Sequence, residues 1–198
     1  MYRLLSVPFL LILITSCSTN DNKNELIEEI TFTIDDSKLS EIVVNDSLQV
    51  KFRAPKNWKA LGEKQTIDFI ANMDSLNLLP SDISIKPKHV FIDSSANCFL
   101  MVHSVSLSNE SLDDNDIEAF YESYLSERLG EQLLRRGRFN KEGTLMTQYV
   151  MKDGARIIFK LFFKIDRDRL VQFDYFILSN YEQEIKAIES SIGSITKQ

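Results

Sequence analysis

Residues 144–178 read as three strands, and in two of them apolar side chains recur at every second position. Thr144 to Met151 leads into Asp153-Gly154, a dipeptide favoured in two-residue hairpins. The run "RIIFKLFFKI" follows and places Ile157, Phe159, Leu161, Phe163 and Ile165 on one face. Its other face, Arg156, Ile158, Lys160, Phe162 and Lys164, is mixed. After "DRDR", the segment Leu170 to Leu178 repeats the pattern with Val171, Phe173, Tyr175 and Ile177. Period-two alternation marks strands, and strands joined by tight turns must pair antiparallel. A chain with this segment has to bury at least one face of an antiparallel sheet.

The remaining segments supply more strands and the cover. "LIEEITFTI", Leu26 to Ile34, reads as a first strand. Ile42-Val43-Val44, the turn residues "NDS", then Leu48, Val50 and Phe52 read as a hairpin that Pro55 ends, since proline lacks an amide donor. Ile67, Ile70 and Ala71 suggest a short helix over 63–73, and Pro80 and Pro87 punctuate an irregular segment. "HVFID", the turn "SSAN" and the arm Cys98 to Leu107 make a second hairpin. After "SLDDND", Ile117, Phe120, Tyr121, Tyr124, Leu125 and Leu129 follow helical spacing. Acids crowd the start of that helix, and Arg135 and Arg136 would complement its dipole at the far end, with Gly137 as the stop. A long helix over 114–136 is therefore expected. Ser179 to Glu182 has capping-box spacing before a last helix striped by Tyr181, Ile185, Ile188, Ile192 and Ile195. There is no internal repeat. The expected fold is one α+β domain over 26–198, an antiparallel sheet with amphipathic helices packed against it.

The first twenty-five residues belong to another category. Arg3 precedes an apolar run, Leu4 to Ile14, that is too short for the roughly 20 residues needed to span a bilayer but suits a secretory signal. Ile14-Thr15-Ser16-Cys17 resembles the bacterial lipobox. That resemblance implies a signal peptide over 1–16 and a Cys17 carrying acyl chains, palmitate among them. Stable membrane attachment takes more than one chain, a requirement that several acyl groups on one cysteine meet. Ser18, rather than aspartate, points by analogy to the outer membrane. Residues 17–25, the lipidated cysteine and a polar stretch without period, read as a tether to the envelope surface.

Removing Arg3 with the signal leaves 22 basic against 29 acidic residues, a net charge near −7 for the mature chain. That balance argues against nucleic-acid binding, which needs a basic face. Surface charge would also hold the body away from anionic lipid. With Cys17 acylated, Cys98 has no disulfide partner, and its setting in "CFLMV" makes it a buried structural thiol.

The body resembles the PsbP-like superfamily, a group that includes an extrinsic photosystem II protein, a nuclear transport factor that binds Ran, and bacterial lipoproteins. The carrying residues are "FRAPKNWKAL", in which a strand ends at Phe52 and Pro55 precedes Trp58, together with the element order over 42–195. Asn57 stands where that family commonly has glycine, and asparagine tolerates a left-handed backbone there. The resemblance implies an α/β/α sandwich and a binding role, with no catalytic set to carry over.

Candidate site residues are few. Nucleophile elbows, HExxH, phosphate loops and dinucleotide fingerprints are absent. His89 and His103 are the only histidines; across a hairpin they could face each other as two metal ligands, short of the four a structural zinc site takes. "DDNDIE" at 113–118 lacks the glycine and terminal glutamate of a calcium loop. The basic cluster Arg135, Arg136, Arg138 and Lys141 could meet an acidic partner. Ile158 and Phe162 would form an exposed patch if no helix covered them. No cofactor is implied. The expected function is a non-catalytic binding or assembly role through an envelope protein partner. A carrier or sensor of an apolar small molecule is the alternative, and an envelope hydrolase the third.

Overall fold

The computed structural model describes residues 32–71, 83–95, 97–107, 117–178 and 184–198. Its strands form two antiparallel sheets. The larger runs in the order β3 (Lys59–Ala60), β4 (Ile83–Asp93), β5 (Cys98–Leu107), β9 (Arg169–Leu178), β8 (Arg156–Asp166), β7 (Thr144–Asp153), β6 (Leu133–Lys141). The smaller runs β1 (Leu39–Asn45), β2 (Val50–Pro55), β10 (Thr196–Lys197). Three helices accompany them: α1 (Glu63–Ala71), α2 (Ile117–Leu129) and α3 (Ile185–Ser194).

Alternation assigns each strand two faces, and both faces of the large sheet are covered. Val171, Phe173, Tyr175 and Ile177 of β9 join Leu161 and Phe163 of β8 in the main core. That core is closed by Phe52, Trp58 and the α3 residues Ile188 and Ile192. Each such side chain taken out of water contributes roughly 1.5–3 kcal/mol. On the opposite face, Ile158, Phe162 and Leu170 pack under Ile117, Tyr121 and Leu125 of α2. The α+β reading holds in this coarser form. The second cover differs from expectation, being the small sheet and α3 together and not helices alone.

The expected helix over 114–136 is shorter. α2 ends at Leu129, Gly130 takes a left-handed φ of +42°, and a single 3-10 turn leads into β6. Arg135, Arg136 and Arg138 thus lie on a strand, paired to Val150, Tyr149 and Thr147 of β7. The reason is tertiary: Phe139 is buried in the main core opposite Met146, and ladder pairing with β7 outweighs continuation of the helix. The meander therefore has four strands. Pro87 sits inside β4 rather than in an irregular segment. It is tolerated there because β3 pairs only with Phe91 and Ile92, and a register shift follows between Pro87 and His89.

Smaller differences are local. The β7–β8 turn is Gly154-Ala155, with Gly154 at φ +58° and Asp153 paired to Arg156. Asn57 does not adopt positive φ, so the turn before Trp58 makes no use of that freedom. Phe32 to Ile34 are not in a strand. The rest of the expected first strand, the Ser179–Glu182 cap, most of the 113–118 acidic run and Cys17 lie outside the described residues.

Candidate functional site

Between α2 and strands β5, β9 and β8 lies a cavity of about 480 Å³, within the range of roughly 300–1,000 Å³ typical of small-molecule sites. Register builds its floor. Asp174 stands opposite Met101 on one side and Lys160 on the other, and Gln172 stands opposite His103. All four polar residues fall on the helix face because they share the parity that opposes Phe173 and Tyr175. Met101, Ile158, Phe176, Leu125 and Met151 make apolar walls, and Arg128, Arg156 and Asp153 are charged residues of the lining.

The polar floor is connected through one carboxylate. Lys160 Nζ donates to Asp174 Oδ1 at 2.8 Å, and Gln172 Nε2 donates to Oδ2 at 2.6 Å. Tyr121 on α2 donates its hydroxyl to Gln172 Oε1 at 2.5 Å. His103 Nε2 lies 3.3 Å from Asp174 Oδ2, an electrostatic contact without hydrogen-bond alignment. His103 is fully buried, yet neither ring nitrogen has a hydrogen-bond partner in the protein.

Burial opposes ionisation of Asp174, but the Lys160 ammonium and His103 outweigh it and hold the carboxyl at about 2. The Asp174 carboxyl is therefore ionised at neutral pH, beside the Lys160 ammonium. Burial also pushes the Tyr121 phenol well above its ordinary value, which keeps it a donor. Desolvating such a pair is costly and often adds no net stability. Perturbed groups converging in an apolar pocket are a mark of binding sites.

Of the residues singled out on sequence grounds, His103 and Ile158 line the cavity and the others fall elsewhere. Arg136 donates to Glu122 of α2 at 2.9 Å, Arg138 donates to the same carboxylate, and Thr147 Oγ1 donates to it at 3.0 Å. The Arg136 guanidinium also lies 5.8 Å over the Tyr149 ring. Arg135 is exposed on the same strand. Lys141 is apart from them, with its ammonium on the Ile195 carbonyl and its pKa drawn down by burial. Ile158 and Phe162 form no exposed patch, since α2 covers them and Tyr121 meets the Phe162 ring edge-on at 5.3 Å.

The two histidines do not meet. His89 pairs with Val102, turns to the main-core face against Phe52, and accepts from Asn45 Nδ2 at 2.7 Å. His103 is on the other face, in the cavity, so the idea of a shared metal fails on register. Among the described residues no cluster of three histidine, cysteine or acidic side chains could hold a metal ion. Cys98 is buried, and burial raises its thiol pKa.

Lys160, Gln172, Asp174 and Tyr121 were not recognised as a set from sequence. A signal existed: Gln172 and Asp174 are polar at i and i+2 in "LVQFDYFIL", a strand otherwise apolar on both faces.

No known family profile matches this chain, and no curated protein does. Among solved structures, it is similar to the cyanobacterial PsbP protein CyanoP from Synechocystis sp. PCC 6803, at 14% identity and a TM-score of 0.49, over 80% of this chain and 92% of that one. It is also similar to PA94, a protein of unknown function from Pseudomonas aeruginosa, at 10% identity and a TM-score of 0.41, over 81% of this chain and 97% of that one. Neither likeness assigns a function here.

Proposed function

We propose that this chain is a lipid-anchored protein of the bacterial envelope whose body binds a small amphipathic molecule between the large sheet and α2, without converting it. The observation that carries the reading is His103, buried on the cavity lining with no hydrogen-bond partner in the protein. An unsatisfied buried polar group costs roughly 1–3 kcal/mol, and a ligand that meets it recovers that cost. Among the described residues the cavity lining holds no serine, threonine or cysteine nucleophile. A hydrolase would have to work through water at His103 and Asp174. Native mass spectrometry of the full chain tests the reading. A bound small molecule should appear and be lost in Leu129→Trp, which puts a larger side chain into the cavity lining; a bare chain in both would remove it.

Export and anchoring rest on Leu4 to Ile14 and on Ile14-Thr15-Ser16-Cys17. Among the described residues no helix is long and apolar enough to cross a membrane. Cys17→Ala should release the protein from the membrane fraction, and retention there would overturn lipidation at this cysteine. A PsbP-like affiliation rests on Phe52 to Leu61, where Pro55 closes β2 and Trp58 is buried against Tyr175 at a ring distance of 6.4 Å.

Assembly through an envelope protein is the second reading. Its observation is β1, an edge strand of the small sheet with Ile42 and Val44 exposed at 64% and 53%. Open apolar edges invite pairing with another chain. Cross-linking in cells followed by mass spectrometry should return one recurrent envelope partner. Ile42→Lys should abolish its capture, whereas capture that survives this change and charge reversal at Arg135 would exclude both places.

A further inference from the structure

The cavity floor keeps unspent hydrogen-bond donors on Lys160 and His103. An ammonium has three N–H groups, and Lys160 uses one of them on Asp174. A neutral imidazole carries one N–H, and that of His103 is aligned on no acceptor in the protein, the nearest carboxylate oxygen, Asp174 Oδ2, lying 3.3 Å from Nε2. Each oxygen of Asp174 receives one bond, from Lys160 and from Gln172, and the Gln172 carbonyl receives Tyr121, so every one of these acceptors is engaged within the protein. The charges lean the same way. Lys160, Arg128 and Arg156 outnumber Asp153 and Asp174 among the lining residues, in a chain whose net charge is −6.

Resting on the ligand-binding reading above, we infer that the ligand is an amphipathic organic acid. Its carboxylate takes the remaining donors of Lys160 and the imidazole N–H of His103, and its apolar body lies along Met101, Ile158 and Phe176. Donors on this largely buried floor favour an anion more than they favour a hydroxyl, because a charge-assisted bond is about twice as strong as a neutral one. Asp174 does not repel this anion strongly, since Lys160 neutralises it at contact distance. Asp174 acts as a positioning residue, holding the ammonium at the floor.

The test compares three probes of one tail length, octanoate, octan-1-ol and octyltrimethylammonium. They are titrated calorimetrically into the full chain in nanodiscs, with empty nanodiscs as the blank. Octanoate should bind about tenfold tighter than the alcohol, the gain expected from one charge-assisted hydrogen bond, and tighter than the cation. Lys160→Gln should lose that preference while still binding the alcohol. If removing one partner unfolds the body, the pair Lys160→Gln with Asp174→Asn removes both charges at constant shape and should show the same loss. Equal binding of acid and alcohol would overturn the organic acid and leave the small-molecule site standing. Preference for the cation would also overturn it. Binding of none of the three would overturn both.

Discussion

Lys160 and Asp174 face each other across β8 and β9, their charged atoms 2.8 Å apart on the sheet face that α2 covers. The carboxylate is 4% exposed and held at about 2, below its ordinary 3.8. A depressed carboxyl contributes stability that is complete above its unfolded value and is lost as pH falls through the folded one. From pH 4 to pH 2, this residue alone should remove about 2 kcal/mol. Urea midpoints measured over that range should slope more steeply for the native chain than for Asp174→Asn. Parallel slopes would mean that the pair does not form.

At neutral pH the same pair predicts an asymmetry. Lys160→Met alone leaves a buried carboxylate and should cost about 3–5 kcal/mol, whereas Lys160→Met with Asp174→Leu should recover most of it. Denaturant unfolding of the two variants reads this directly. Additive losses would show that the charges act independently.

Glu122 is the anchor of the basic strand, receiving Arg136, Arg138 and Thr147 under α2. The arginines are about a third exposed, so solvent screening lowers the worth of each pair. Glu122→Ala should destabilise by about 1–3 kcal/mol. Arg138→Glu, which sets two carboxylates against each other, should cost at least as much. Thermal unfolding checks both, and an unchanged melting point for Arg138→Glu would show that this cluster is not structural.

Gly193 on α3 is packed against the chain before β1. A Cβ placed there would sit 2.7 Å from Phe32 Cβ and 3.1 Å from Ile34 Cγ1. Phe32 in turn meets Phe139 edge-on at 5.2 Å, so it has little room to yield. Gly193→Ala should cost about 1–3 kcal/mol by overpacking, although alanine is the better helix former. A stabilised variant in thermal melts would mean that Phe32 does not pack there.

Cys98 starts β5 inside the main core, 1% exposed, with its thiol pKa raised by burial. Reactivity belongs to the thiolate, so a disulfide reagent should label this cysteine only after unfolding. Labelling of the native chain at the rate of a free thiol would place Cys98 outside the core.

The local chemistry of the chain was enough for the main-core face of the meander. Val171, Phe173, Tyr175 and Ile177 alternate with period two, and a strand can point them only one way. The hairpins over 42–55 and 89–107 and the stripe of Ile185, Ile188 and Ile192 were legible on the same ground, because turn residues and periodicity act within a few positions. At Leu133–Lys141 that reasoning failed. Arg135 and Arg136 as complements to the helix dipole and Gly137 as a stop carried the expected helix past Leu129, but Gly130 and the ladder to β7 turned the segment into a strand, and it is the partner strand that decides such a contest. The cavity was further from reach. His103, Lys160, Gln172 and Asp174 come from three strands and gain a common floor only when β5, β9 and β8 settle in register. Sequence alone determined which faces must leave water. The register of the strands decided which polar residues went in with them.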